Sequence, residues 1–531
     1  MRLWVWTGLL SSACGNVSSS PDAPPPKTVA NLTVTAAGSG MVVSQPAGIS
    51  CPGTCAAEFP IGSSVTLTAT STAPISFAGW SGACAAGRRE CTLSLDDDAA
   101  VTATFAMAGE KRWLLTAGAA STTTASNAHA IAARGGDLVL VGRVNGVTSV
   151  GGMPTTSAGL LIARLDSDGT AKWVKSIPGP AALEGALDAA GNVYVAGFFD
   201  APTDFGAGEV APNANSTDAF VAKYDGETGA YLWAKPLGGT FFDFATALAV
   251  EPETGDVLVG GSFSRTVNFG GGDVTSIGGD TDDIFVARYA AANGAYVWAK
   301  TFGNANTEQL YGLATDGSGG VGLAGTYTGT MMMDSMLLAG NTQSNGVFAK
   351  LTTATGAVQL AKPLGGANTD SAHNITVDRA GNWLVVGRYT VPADVGGDPL
   401  PAGQTFVAKY TPAGAHLWSR GLTGQALRVA VDSFDDAVVA GNFTGTFDLA
   451  GATLSSAGMS DAFVVKLAGS GGATVWAQRF GGASNDQGNG LGVDSLDRPY
   501  VAGTFTGFAE FQNETPTSAG VNDLYVISLV P

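Results

Sequence analysis

The stretch "DAFVAKYDGETGAYLWAKPLGG", residues 218–239, decides the fold because the chain writes it again, as "DIFVARYAAANGAYVWAKTFGN" at 283–304 and "DAFVVKLAGSGGATVWAQRFGG" at 461–482. Each copy holds two short runs of β-branched and aromatic residues around a glycine-containing turn, the pattern of paired strands. The first run recurs seven times: "LIAR" (161–164), "FVAK" (220–223), "FVAR" (285–288), "VFAK" (347–350), "FVAK" (406–409), "FVVK" (463–466) and "YVIS" (525–528). The second carries Trp113, Trp173, Trp233, Trp298, Leu360 in place of Trp, Trp418 and Trp476. A later strand ends on Gly142, Gly197, Gly261, Gly325, Gly387, Gly441 and Gly503.

Between Trp and Gly lies a hairpin such as "ITVDRAGNWLVVG" (375–387), whose Asp378 and Gly381 suit a tight turn. Each period of roughly 60 residues therefore holds four strands, the unit of a β-propeller blade. The array starts on a Trp strand, "KRWLLTAG", and ends on an "FVAK"-type strand, "NDLYVISLVP", so each end supplies what the other lacks. Joining them predicts an all-β, seven-bladed propeller over 108–531, closed by the C-terminal strand pairing into the first blade. An open solenoid is the rival, but it calls for capping repeats with a polar outer face. The blades resemble the SBBP-type bacterial propeller repeat over 111–531; that resemblance implies a propeller and no particular reaction.

Composition agrees. Charged residues are 13% of the chain and glycines number 75, which suits many buried strands joined by tight turns. A net charge of −18 argues against binding a phosphate backbone, which needs clustered Lys and Arg, so no nucleic-acid partner is expected.

The N-terminus, "MRLWVWTGLLSSACG", places Arg2 before the apolar run Leu3 to Leu10 and small residues up to Cys14, an export signal. It resembles a bacterial lipoprotein signal (1–14), which implies lipid attachment at Cys14; it departs from that pattern in having Ser11 where a Leu is usual. The Ser/Pro-rich segment 15–30 cannot form a core and reads as a tether.

Without Cys14 four cysteines remain, Cys51, Cys55, Cys84 and Cys91. In an oxidising compartment three pairings into two disulfides exist; the local one, Cys51–Cys55 with Cys84–Cys91, is the expectation, and a zinc site is the competitor. Residues 31–107 alternate in the strand manner, and "AEFPIGSSVTLTAT…FAGWSGAC…CTLSL…AVTATF" resembles the divergent internalin-type B-repeat domain. The resemblance implies a small cross-linked β stalk, with Trp80 in its core.

Six "FVAK" strands end in a cation: Arg164, Lys223, Arg288, Lys350, Lys409 and Lys466. They read as partners of strand-borne acids at one repeat position, Asp204, Asp394, Asp448 and Glu510, rather than as an anion-binding ring. Asp243, Glu308, Asp370 and Asp486 also share a position, at the entry to the third strand, counting the "FVAK" strand as the first and the Trp strand as the second. They are candidates for a rim ligand or cation site, with calcium the one conceivable ion; the competing reading is that each caps its own turn. No other metal or cofactor is called for. "DSDGT" (166–170) opens like a calcium loop, but the equivalent turns and the missing Glu make it a hairpin.

The three histidines are His129, His373 and His416, the first two at one repeat position, and no nucleophile-elbow or phosphate-loop motif occurs. The sequence selects no catalytic residue and leaves enzyme status open. The expected function is an exported, lipid-anchored surface scaffold, monomeric, touching the membrane through its lipid alone and binding a protein or glycan through propeller loops. A propeller-fold polysaccharide lyase or hydrolase, and a purely structural envelope protein, are the alternatives.

Overall fold

The computed structural model describes residues 27–84, 89–120, 125–213, 216–390, 392–401, 404–449 and 453–531; Cys14 lies outside them. Every named element is a strand. Among the described residues no helix is long and apolar enough to cross a membrane. The chain divides into two compact units: one holds the residues up to Ala37 with Met41–Thr70 and Trp80–Thr104, the other Gly38–Gly40, Ser71–Gly79 and Phe105–Pro531.

In the first unit the period-two pattern sends alternate side chains inward. Leu32 and Val34 from Val29–Ala37, and Val65 and Leu67 from Ser63–Thr70, form its buried face. Trp80 is buried. Cys51 is bridged to Cys55 and Cys84 to Cys91, with Cα–Cα distances of 4.6 Å and 5.9 Å. All four thiols are thereby used, and the zinc alternative falls away.

The second unit is propeller-like. Its sheets share one antiparallel order, inner strand, second strand, third ("FVAK") strand and outer (Trp) strand. The first sheet is Asn127–Arg134, Asp137–Val144, Gly159–Asp166 and Ala171–Ile177. The inner strands of the next five are Ala181–Leu187, Asp243–Val250, Gln309–Thr315, Ser371–Val377 and Gln425–Val431. A seventh takes strands from both ends of the unit: Gln487–Val493, Pro499–Phe505, Asp523–Leu529 and Lys111–Ala117. There Tyr525 pairs with Thr116 and Ser528 with Trp113.

The third strand of each sheet is covered on both faces by neighbouring sheets, which is why its sequence is apolar without alternation. Asp218–Tyr224, Asp283–Tyr289, Asp461–Leu467 and Asp523–Leu529 are buried at every residue. Cores form between sheets rather than within them: Val141, Ile162 and Trp173 of the first sheet pack with Val195, Phe220 and Ala222 of the second. Leu140 and Leu161 of the first pack with Ala502 and Val526 of the seventh.

The repeated Trp fastens each sheet to the next. Trp113, Trp173, Trp233, Trp298 and Trp418 each donate an indole N–H to a carbonyl in the third-to-outer turn of the following sheet, at Ser167, Gly226, Ala291, Thr353 and Gly469. The ring lies over a turn glycine of positive φ, and space as well as backbone conformation demands that glycine. A Cβ on Gly229 (φ 67) would stand 2.8 Å from Trp173. Trp476 finds the same partner in Gly109 (φ 76), which precedes the outer strand of the seventh sheet. Gly109 donates to Val530 O and Val530 donates to Glu110 O, so two distant segments reproduce an ordinary hairpin turn.

The third-strand cations do not meet the acids expected from sequence. Their partners are the aspartates of the inner hairpin: Arg164–Asp137 (2.6 Å), Lys223–Asp188 (3.1 Å), Arg288–Asp256 (3.0 Å), Lys350–Asp316 (3.0 Å), Lys409–Asp378 (2.9 Å) and Lys466–Asp432 (2.6 Å). Asp204 and Asp394 accept backbone N–H groups of their own turns, and Glu510 pairs with Arg479. In the seventh sheet Ser528 holds the cation's position, and Arg498 supplies the charge to Asp494 instead.

Candidate functional site

The chemistry collects where the inner strands converge. Each inner strand carries one residue more than the second strand opposite it, a β-bulge that leaves a side chain unpaired and re-aims it. The extra residues are His129, Leu183 and Thr246 in the first three sheets, Tyr311 and His373 in the next two, and Leu427 and Asn489 in the last two. All of them, with Arg428, line one cavity of about 490 Å³. Two histidines noted in the sequence for sharing a repeat position thus meet in one chamber.

Bulge side chains also tie sheet to sheet. Thr246 donates to Leu310 O, His373 Nδ1 lies 3.2 Å from Ala426 O, and Asn489 Nδ2 donates to Ala128 O at 3.1 Å. Tyr311 sets its ring edge-to-face against His373 at 5.9 Å and donates its hydroxyl to Gln309 Oε1 at 2.6 Å. Arg428 of the sixth sheet pairs with Glu184 of the second at 2.5 Å; both lie one residue past a bulge. His373 Nε2 stands 2.8 Å from Ser371 Oγ.

Burial holds both histidines below the ordinary value, and the guanidinium of Arg428 pushes in the same direction. Neutral His373 places its proton on Nδ1, facing the carbonyl, and accepts from Ser371 at Nε2. Burial raises Glu184, and Arg428 works against that rise. The cavity is therefore a largely pre-oriented chamber, walled by Leu183 and Leu427 as well as by polar side chains, of a size typical of small-molecule sites. A larger groove of about 670 Å³ lies beside Gly340, Lys362, Gly365 and Asp394.

The four rim carboxylates sit at separate sheets, and each accepts a backbone N–H from four residues earlier. The bonds are Gly239 to Asp243 (2.8 Å), Asn304 to Glu308 (2.8 Å), Gly366 to Asp370 (2.6 Å) and Gly482 to Asp486 (2.7 Å). Among the described residues no three His, Cys, Asp or Glu side chains gather as a metal site would require. Burial pushes Asp243 up to about 8 and Glu308 up to about 7, with Asp218 adding to the rise of the former and Asp283 to that of the latter. Such carboxylates organise turns.

The bulges themselves are not evident from the sequence. Their signal is a position that changes identity from repeat to repeat, directly after a small or aliphatic residue (Ala128, Ala182, Ala245, Leu310, Ala372, Ala426, Gly488).

No family model matches the chain. An uncharacterised WD repeat-containing protein of Acanthamoeba polyphaga mimivirus is 22% identical over 371 residues, which are 54% of this chain and 26% of that protein's length. Among solved structures, the WD40 domain of Toxoplasma gondii coronin aligns with a TM-score of 0.38 and 10% identity, over 80% of this chain and 89% of that one. BamB of Moraxella catarrhalis aligns with a TM-score of 0.34 and 12% identity, over 75% and 95%. At these TM-scores the structural likenesses carry no argument. The WD-repeat likeness agrees in kind with the propeller-like sheets, and neither a reaction nor a ligand comes with it.

Proposed function

We propose that this chain is an exported surface protein, lipid-anchored at Cys14, with a B-repeat-like β domain (31–107) followed in sequence by a closed seven-bladed propeller (108–531) of the SBBP kind that acts as a binding scaffold. The pairing of Asp523–Leu529 with Lys111–Ala117 supports the closed ring, as do the seat of Trp476 on Gly109 and the bond from Asn489 to Ala128 O.

The observation that carries the scaffold reading is the build of the rim loops. Asp283, Asp461 and Asp523 are buried and accept backbone N–H groups from Ile277, Ala457 and Ala519, fixing the turns before the third strands. Those turns hold Ile277, Met459 and Val521 out in solvent, and Phe242 and Phe508 are exposed on neighbouring turns. Rigid loops presenting apolar side chains suit recognition of a partner. The lyase or hydrolase reading draws on the convergence of His129, His373 and Glu184, but Glu184 is engaged by Arg428, and His373 has both ring nitrogens occupied.

Two experiments test the proposal. Metabolic labelling with an alkyne fatty acid is expected to mark the wild-type chain and not Cys14→Ser; equal labelling overturns the anchor. Surface cross-linking and glycan arrays with the full chain are expected to yield a saturable ligand lost on Ile277→Asp and Met459→Asp. Turnover of a polysaccharide, lost on His373→Ala, overturns the scaffold reading.

A further inference from the structure

The lining of the inner cavity falls into two arcs. Leu183 of the second sheet and Leu427 of the sixth stand at corresponding positions and divide the other bulge residues between them. Thr246, Tyr311 and His373 form one arc, from sheets three, four and five; Asn489 and His129 form the other, from sheets seven and one.

The charges around this space are cancelled or committed elsewhere. Arg428 and Glu184, each next to one of the two leucines, neutralise each other. Asp243, Glu308, Asp370 and Asp486 stand three residues before Thr246, Tyr311, His373 and Asn489, but all four are buried, each takes an N–H of its own turn, and burial raises every one of them. Asp282, whose charge acts on Tyr311, accepts from Ser264 and Gln309. Arg143 and Arg388 are exposed and lie outside the lining. Among the described residues no uncompensated charge lines the cavity, so an ionic ligand would give up its hydration without gaining a counter-ion.

Hydrogen-bonding capacity is divided as unevenly as shape. On the longer arc it is committed: Thr246 donates to Leu310 O, Tyr311 donates to Gln309 Oε1, and the two ring nitrogens of His373 face Ala426 O and Ser371 Oγ. That arc offers flat surface instead, the rings of Tyr311 and His373 meeting edge-to-face at 5.9 Å. On the shorter arc Asn489 gives Nδ2 to Ala128 O, the carbonyl directly before His129, and keeps Oδ1 free of any described partner. His129 makes no hydrogen bond to a described residue. A neutral imidazole carries one donor and one acceptor, and an amide oxygen accepts. Side by side they complement a group that holds an N–H next to a C=O, the edge of a cyclic amide. A polyol fits the same walls badly, because hydroxyl groups turned toward two leucines and a tyrosine ring would go unpaired.

We infer that the inner cavity binds an uncharged planar ring with a cyclic-amide edge, of the pyridone or pyrimidinone class, its edge on His129 and Asn489 and its faces against Tyr311, Leu183 and Leu427. This site is separate from the rim loops, and neither reading requires the other.

Titration of the full chain with uracil, orotate, toluene and glucose, followed by ligand-observed NMR, tests it. Uracil is expected to saturate a single site. Orotate, the same ring with a carboxylate added, and glucose are expected not to bind, and toluene, which lacks the edge, to bind more weakly. His129→Phe keeps a ring at the wall and breaks no bond to a described residue, so its fold is expected to survive; it should lose about tenfold or more in affinity for uracil, the order of a lost pair of neutral hydrogen bonds, and none for toluene. Tyr311→Phe removes a hydroxyl already committed to Gln309 and should leave uracil affinity within about twofold. Failure of uracil to saturate, equal binding of orotate, toluene or glucose, or an unchanged His129→Phe overturns the inference. Capture of a surface protein, lost on Ile277→Asp, together with no binding of uracil sinks the inference and leaves the scaffold standing; saturable uracil binding lost on His129→Phe, with no partner found for the rim, does the reverse.

Discussion

The outer and inner ends of the same seven sheets follow opposite rules. At the outer end six Trp residues and one Leu perform one task, lying over a turn glycine of the neighbouring sheet. At the inner end the bulge position holds His, Leu, Thr, Tyr, His, Leu and Asn in turn. A contact that joins every sheet to the next admits one solution, because the gap it fills is the same each time. A position that faces open space is released from that constraint. Repetition marks the frame, and its local loss marks the wall of the inner cavity.

Breaking the frame is expected to have the largest effect. Lys409 and Asp378 are both buried and paired at 2.9 Å. Asp378 Oδ1 also takes N–H groups from Ala380 and Asn382, so one side chain fastens both the hairpin and the third strand. Lys409→Met alone leaves a buried carboxylate without its cation and is expected to cost about 3 kcal/mol or more in denaturant unfolding. The double replacement with Asp378→Leu is expected to recover part of that loss, less the turn cap. Recovery beyond wild type sets the cap at nothing.

Next in size is the outer seam. Gly229→Ala forces a Cβ into Trp173 at positive φ and is expected to lower stability by about 1–3 kcal/mol. Leu360 offers the converse: Leu360→Trp restores the majority residue opposite Gly414, and a rise in the thermal midpoint indicates that the gap there retains its ordinary shape.

Acidity separates the rim from the hairpins over a range of pH. Asp243 at about 8, Glu308 at about 7 and Asp283 at about 6 hold protons that the unfolded chain gives up near the ordinary values of 3.8 and 4.5. Their contribution is fully present below about pH 4 and fades as pH rises through 6 to 8. Asp378 runs the other way: burial favours its neutral form, yet bonds from Lys409 and Asn382 bring it below the ordinary value, and its contribution fades on acidification. Unfolding free energy is thus expected to peak on the mildly acid side, and Asp243→Asn to flatten the fall above pH 5.

The smallest effect is expected at the inner end. Leu183→Ser and Leu427→Ser alter side chains at the cavity wall and should move stability by no more than about 0.5 kcal/mol. A loss matching that of Gly229→Ala erases the contrast between the two ends.

Much of the outer end was legible because Trp, Gly and the "FVAK" run recur as letters. The partner of the cations was not. Reading Asp204, Asp394, Asp448 and Glu510 as that partner placed the acid on a strand, whereas the inner hairpin folds its own turn aspartate beneath the lysine. Sequence spacing gives the order of strands but not which turn curls under which. The bulges were hidden for a related reason. One added residue between small neighbours such as Ala128 and Ala130 leaves the apolar character of the strand intact. His129 and His373 were visible as a shared position, but not as two walls of one chamber.

The seam at Gly109 and Val530 has a mechanical consequence. In the other six sheets a covalent turn joins the third strand to the outer one, so pulling them apart means stretching the polypeptide itself. In the seventh, the join between Lys111–Ala117 and Asp523–Leu529 is a zip of backbone hydrogen bonds, and tension applied between residues 110 and 530 peels it one bond at a time. Under load the assembly should yield there first, at a force set by a single pair of strands.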